Sequence, residues 1–255
     1  MQLQQLFGLT GKKALVTGAS RGLGQAIAMA LADAGAEVLC ASSAAGGSDA
    51  TVAAIRQQGG LAQAFSADLA DSNAVVQLAE KALDYAGQID ILVNCGGTIT
   101  RTPAVDFAFS DWQQNLAVNL DATFLLSQRL GAAMIERRSG KIINIASMLS
   151  YSGGITVPAY TASKHAVVGL TRALANEWAG FGVNVNAIAP GYFKTDNTAA
   201  LQANTDRNQQ ILSRLPAGRW GEPADLAGAA IFLASSASDY VHGHVLAVDG
   251  GWLAR

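Results

Sequence analysis

At 255 residues, half of them apolar and 14% charged, the chain has material for a large core with a modest polar surface, enough for one α/β domain. Its net charge of −2 argues against a general binder of nucleic acid or anionic membrane. The two cysteines, Cys40 and Cys95, sit in apolar strand-like runs and make neither a disulfide framework nor a metal site. No secretory leader or membrane-spanning run is read, so the cytoplasm is the expected location.

The first predicted strand, Lys13–Thr17, runs into Gly18-Ala19-Ser20-Arg21-Gly22-Leu23-Gly24. Leu23, Ile27 and Leu31 then recur at helical spacing. A strand, a glycine turn and a helix N-terminus form a phosphate cradle. The glycines admit the backbone to a pyrophosphate, and the free amides and helix dipole favour its charge. Further strands are expected at Glu37–Ala41, Ala62–Ala67, Ile89–Asn94, Gly140–Ala146, Gly182–Ile188 and His244–Val248, with helical segments between most of them. Continuous apolar strands separated by helices predict a doubly wound, seven-stranded parallel sheet of Rossmann type with helices on both faces. Gly18, Asn94, Ser147 and Pro190 then follow strand ends along one edge, where such sheets bind ligands. Residues 196–215 break the pattern, being polar and rich in Asn and Gln.

Ser147 ends a strand, and Tyr160 and Lys164 follow in Tyr160-Thr161-Ala162-Ser163-Lys164. Four residues apart on a helix, the phenol and the ammonium share one face, about 6 Å apart along the axis. A nearby ammonium favours the phenolate, which lowers a pKa that starts near 10 and makes the group a usable acid. Ser147 is placed to hold a carbonyl or hydroxyl oxygen against it. The set reads as proton transfer to a carbonyl.

Together with Asp68-Leu69, Asn94-Cys95-Gly96-Gly97, Asn119 in Val-Asn-Leu, and Pro190-Gly191 followed by Thr195, these residues resemble the short-chain dehydrogenase/reductase family over nearly the whole chain. The resemblance implies an oxidoreductase with a catalytic tetrad of Asn119, Ser147, Tyr160 and Lys164. It further implies a nicotinamide dinucleotide held by Gly18, Ser20, Arg21, Gly22, Leu23, Gly24, Ser42, Asp68, Leu69, Asn94, Gly96, Tyr160, Lys164, Pro190, Gly191 and Thr195. Asp68 would bond the adenine, Asn94 would lie beside the adenosine ribose, Asn119 would kink its helix and serve a proton relay, and Pro190, Gly191 and Thr195 would flank the nicotinamide. Residues 192–215 would form a lid. The Asn94-Cys95-Gly96-Gly97 run departs from the usual Asn-Asn-Ala-Gly, and Cys95 is read as a small buried side chain. Ser42, at the end of the second strand, stands where an acidic residue would grip a ribose hydroxyl. The wording of the C-terminal half favours NAD, and NADP remains open.

That C-terminal wording also resembles members of the family acting on deoxy sugar acids, which implies a small-molecule substrate bearing a carboxylate. Arg101 is the first candidate fork for it, with Arg214 and Arg219 as alternatives. Met148, Tyr192, Ser147 and Tyr160 complete the expected substrate pocket. Three other readings stay open: a 3-oxoacyl-carrier-protein reductase on the same fold, against which Ala132 and Asn176 speak, standing where the resemblance implies basic docking residues; another short-chain sugar or polyol dehydrogenase; and a non-catalytic dinucleotide sensor, against which the complete tetrad speaks. The family's usual tetramer is expected, with Gly250-Gly251-Trp252 either at a subunit contact or folded on its own chain.

Overall fold

The computed structural model describes residues 2–255. Seven parallel strands, β1 (Lys13–Thr17), β2 (Glu37–Ser42), β3 (Ala62–Ser66), β4 (Ile91–Asn94), β5 (Gly140–Ile145), β6 (Val183–Pro190) and β7 (Val245–Val248), form one sheet in the order β3-β2-β1-β4-β5-β6-β7. The helices are α1 (Leu3–Phe7), α2 (Gly22–Asp33), α3 (Asp49–Gln57), α4 (Ser72–Ala86), α5 (Phe109–Leu116), α6 (Ala122–Glu136), α7 (Pro158–Trp178), α8 (Ala199–Ala203), α9 (Thr205–Arg214) and α10 (Ala227–Ala234). The expected doubly wound Rossmann-type architecture is therefore the observed one.

Alternation along the strands explains the two layers. Ala14 and Val16 face one side of the sheet, with Ile27 and Leu31 of α2, Ile55 of α3 and Leu233 of α10. Leu15, between them, faces the other side, with Leu78 of α4, Leu126 and Leu130 of α6, and Trp178 of α7. Both faces are covered, so β1, β2 and β4 run almost continuously apolar, while β5 and β6 also bury Asn144, Asn184 and Asn186.

The strand limits differ from expectation in places. β4 starts at Ile91 rather than Ile89, and the Ile89 carbonyl accepts from the Arg137 side chain. β6 continues to Pro190, where pairing with Val248 still holds, so Pro190 closes the strand rather than following it. Proline is tolerated there because a final position can do without the donor. Asn94 likewise ends β4.

β1 pairs with β2 on one side and β4 on the other. The order of connections across the sheet reverses at that junction, the switch point at which open parallel sheets bind their ligands.

Candidate active site

The loop after β1 reaches the loop after β4 at backbone distance. Gly18 has φ +68, and a Cβ there would sit 3.0 Å from the Gly96 Cα. A Cβ on Gly24 would collide with the Gly18 carbonyl. Thr17, which the motif reading passed over, stitches the two loops: its hydroxyl accepts from the amides of Cys95 (3.0 Å) and Gly96 (2.9 Å). No side chain caps the N-terminus of α2, so its first amides remain available to an anion.

A cavity of about 450 Å³ opens here, within the range of ligand-binding clefts. Gly18, Ser20, Arg21, Gly22, Leu23 and Gly24 line one wall. Ser42, Asp68 and Leu69 line the next, and Gly96, Tyr160, Lys164 and Thr195 the far end. A narrow glycine cradle beside an uncapped helix N-terminus fits a dinucleotide. Three expected contacts lie off this wall. Asn94 is buried, and its amide donates to Asn144 (2.9 Å) and Ser127 (3.2 Å), tying β4 to β5 and α6. Gly191 packs against Asp249, where a Cβ would come 2.6 Å from the Asp249 Cα. Pro190 completes the strand beside it.

The four residues expected to form the tetrad come from three places. Asn119 lies in a π-helical stretch, Ala117–Asp121, between α5 and α6, a local widening of the kind that marks functional turns. Its side chain accepts from the Thr98 amide (2.8 Å) and donates to the Thr98 carbonyl (2.9 Å) and to Ser163 (3.1 Å). Tyr160 and Lys164 occupy the first turns of α7, which Pro158 starts with a preset φ. The Lys164 ammonium donates to the Ile145 carbonyl at the end of β5 (2.6 Å) and lies 5.6 Å from the Tyr160 ring centroid. The Ser147 hydroxyl accepts from the Leu149 amide (3.1 Å) and keeps its own proton to donate.

The electrostatics depart from the sequence expectation. Burial is the largest influence on the Tyr160 phenol and raises it, while Ser147 and Arg101 act to lower it. Lys164 is only 5% exposed, and burial pushes it down to about 8. Burial outweighs the groups that lower the phenol. The low phenol expected from Tyr-x-x-x-Lys spacing is thus not a property of the ligand-free protein. Cys95 is pushed up to about 11 by burial, which keeps it a thiol, in line with its reading as a packing residue.

Residues 192–215 carry a short 3₁₀ turn, α8 and α9, seated on an apolar cluster of Met148, Ile211, Leu215, Trp220 and Trp252, with Tyr192 packed against it. Tyr192 meets Trp220 and Trp252 edge-on, at centroid distances of 5.3 and 4.8 Å. Met148 and Tyr192 thus share one apolar cluster, and neither lines the cavity described above. Trp252 folds onto its own chain, with the Arg214 guanidinium 4.0 Å from its ring centroid.

Of the three arginines, Arg101 is exposed, donates to the Asn197 carbonyl at the start of the segment (2.7 Å), and is near enough to Tyr160 to influence its proton. Arg219 is held by Asp225 through two bonds (2.6 and 3.1 Å), and Arg214 is stacked on Trp252, so neither is poised as a free fork. Arg21 pairs with Asp196 (3.1 Å) across the cavity mouth. Arg207 was not singled out from the sequence, yet it acts on the Tyr192 phenol and lowers it against burial. Only that contact, not a motif, reveals it.

Among the described residues no cluster of His, Cys, Asp or Glu could hold a metal ion, and no helix is long and apolar enough to cross a membrane. Ser147→Ala is expected to lower kcat by roughly 10²–10³-fold, the usual loss for one donor to a developing oxyanion. Single-turnover reduction rates check this, and an unchanged rate would remove Ser147 from the set.

Comparison with known proteins agrees with this geometry. A family model described as enoyl-(acyl carrier protein) reductase matches residues 18–253. The chain is 53% identical, over 99% of both chains, to the 2-dehydro-3-deoxy-D-gluconate 5-dehydrogenase of Bacillus subtilis (strain 168). A solved structure from Beutenbergia cavernae with bound NADP at low occupancy is 53% identical, with a TM-score of 0.95 over 98% of this chain and 99% of that one. A gluconate 5-dehydrogenase from Burkholderia cenocepacia J2315, in complex with NADP and tartrate, is 38% identical, with a TM-score of 0.96 over 100% of both chains.

Proposed function

Because the chain belongs to the short-chain dehydrogenase/reductase family, we propose that it is an NAD(P)-dependent oxidoreductase interconverting a ketone and a secondary alcohol on a deoxy sugar acid. The specific reaction is that of a 2-dehydro-3-deoxy-D-gluconate 5-dehydrogenase, also called 2-deoxy-D-gluconate 3-dehydrogenase, in uronate breakdown. The observation that carries this reading is the meeting of Ser147, Tyr160 and Lys164 at the end of a nucleotide-sized cleft, in a chain so similar over its full length to an enzyme of that name. The whole chain is read as one nucleotide-binding domain, with residues 192–215 closing over the substrate.

A nicotinamide cofactor held in this cleft by its lining residues would supply hydride-transfer chemistry at the substrate carbon, in either direction. The amides at the start of α2 and the glycine cradle hold the pyrophosphate. Asp68 and Leu69 border the adenine end, and Lys164 holds the nicotinamide ribose. In the reducing direction Ser147 donates a hydrogen bond to the carbonyl oxygen, and Tyr160 gives it a proton as negative charge builds there. The cation at Lys164 then favours the phenolate left behind, and Asn119 orders the relay that returns the proton. In oxidation the same groups act in reverse.

Ser42 offers no carboxylate against a 2′-phosphate, and the solved relatives hold NADP, so both NAD and NADP are admitted. Arg101 is read as the carboxylate fork. Arg101→Ala is expected to raise KM for carboxylate substrates by roughly tenfold to a hundredfold, the loss of one charge-assisted contact, with kcat little changed. An equal loss on an uncharged ketone would remove the carboxylate role. A second reading, a gluconate 5-dehydrogenase, is favoured by the solved Burkholderia relative, and 5-ketogluconate as a parallel substrate separates the two. The protein is further read as a cytoplasmic homotetramer, and a one-chain mass by sedimentation would contradict the assembly.

A further inference from the structure

Asn115 is the least expected residue near the site. It lies within α5, is 1% exposed, and its carboxamide oxygen has no partner. Asparagine is a poor helix former, and an apolar side chain would fill the space without burying an unpaired oxygen. The amide nitrogen donates to the Asp111 carbonyl one turn back (2.9 Å) and to the Thr100 hydroxyl (2.9 Å).

Thr100 immediately precedes Arg101. The segment around them is tied at alternate residues. Thr98 is held through both backbone groups by Asn119, Thr100 through its hydroxyl by Asn115, and Thr102 through its amide by the Thr156 carbonyl (2.9 Å). The segment has no regular secondary structure, so these ties on either side of Arg101 are what hold its backbone in place. Arg101 reaches out to Asn197, at the start of the covering segment.

The geometry points to Asn115 as a positioning residue for the substrate carboxylate: by fixing the Thr100 hydroxyl, it sets the direction in which Arg101 presents its guanidinium. This rests on the reading of Arg101 as the carboxylate fork. Asn115 touches neither the reacting atoms nor the fork, so its effect is on where the charge is held. Losing the anchor leaves the arginine present but free to swing, which weakens ground-state and transition-state binding alike.

The test uses Asn115→Leu, Thr100→Val and the double variant of the full chain. Initial rates are measured with the 2,5-diketo-3-deoxyhexonate at saturating reduced cofactor. Each single change is expected to raise KM about tenfold with kcat within about twofold. The double is expected to be no worse than either single, since both break one link. Thr100→Ser, which keeps the hydroxyl, is expected to retain the wild-type KM. A fall in kcat at constant KM, additive losses in the double, or Thr100→Ser behaving like Thr100→Val would overturn the inference. If Asn115→Leu does not fold, the Thr100→Val and Thr100→Ser pair, at a half-buried position, carries the test alone. Arg101→Ala in the same assay separates the two levels. An unchanged KM there removes the carboxylate reading and this inference with it, whereas a raised KM there beside a wild-type Thr100→Val overturns the positioning role only.

Discussion

Tyr160→Phe is expected to abolish turnover, by roughly 10³-fold or more, while cofactor binding stays within about twofold. The change removes one oxygen and leaves the ring, so the packing of α7 on the site is retained. What is lost is the acid facing Ser147 at the end of the cleft. Burial raises the phenol in the ligand-free protein, so at neutral pH it is protonated and already competent to donate in reduction. Oxidation needs the opposite state, which makes the oxidative rate the more pH-dependent of the two. Fluorescence titration with reduced cofactor and a single-turnover assay check both halves. Surviving turnover in Tyr160→Phe would mean that the acid has been misassigned.

Lys164→Met is expected to have two effects of opposite sign. Activity is expected to fall by at least roughly 10²-fold, because on the proposed mechanism a phenolate formed by proton transfer would lose its neighbouring cation. Stability of the ligand-free protein rises. Burial takes Lys164 from 10.5 to about 8, and at about 1.36 kcal/mol per unit this is a penalty of up to about 3 kcal/mol at neutral pH. The Ile145 carbonyl loses its donor in the variant, which offsets part of the gain. The sign with pH follows from the depressed value. Below pH 8 the folded protein must carry the buried charge and the penalty is complete. Between 8 and 10.5 the unfolded chain binds more protons than the folded one, so this group makes stability rise with pH there. Melting curves at pH 7 and pH 9.5 check this. A variant less stable than wild type at pH 7, or a gap that does not narrow by pH 9.5, would contradict the account. A destabilising residue kept at the centre of the site is the expected trade between stability and function.

The fold was legible because its signals repeat. Seven apolar runs, each followed by a turn, leave few arrangements open, and the order of the motifs along one sheet edge follows from parallel pairing. Strand ends are less legible, since apolar residues continue past them: Ile89 reads as strand, yet β4 starts at Ile91. In the candidate site, the residues that sit on glycine turns or helix starts were readable, since their backbone positions impose a pattern. Those acting through contacts between distant segments were not. Thr17 joins loops that are 78 residues apart, and Arg207 meets Tyr192 only once α9 folds back over the strand ends. The raised Tyr160 phenol escapes sequence reasoning for a related reason: spacing places a cation near a phenol, but only the packed interior brings in burial, the largest influence on it.

The most direct test of the central claim is the initial rate of reduced-cofactor oxidation by the 2,5-diketo-3-deoxyhexonate, with NADH and NADPH in parallel and an acetoacetyl thioester as control. The account expects fast oxidation of at least one cofactor by the diketo acid and none by the thioester. Turnover of the thioester alone, or silence with the diketo acid despite measurable cofactor binding, would contradict it.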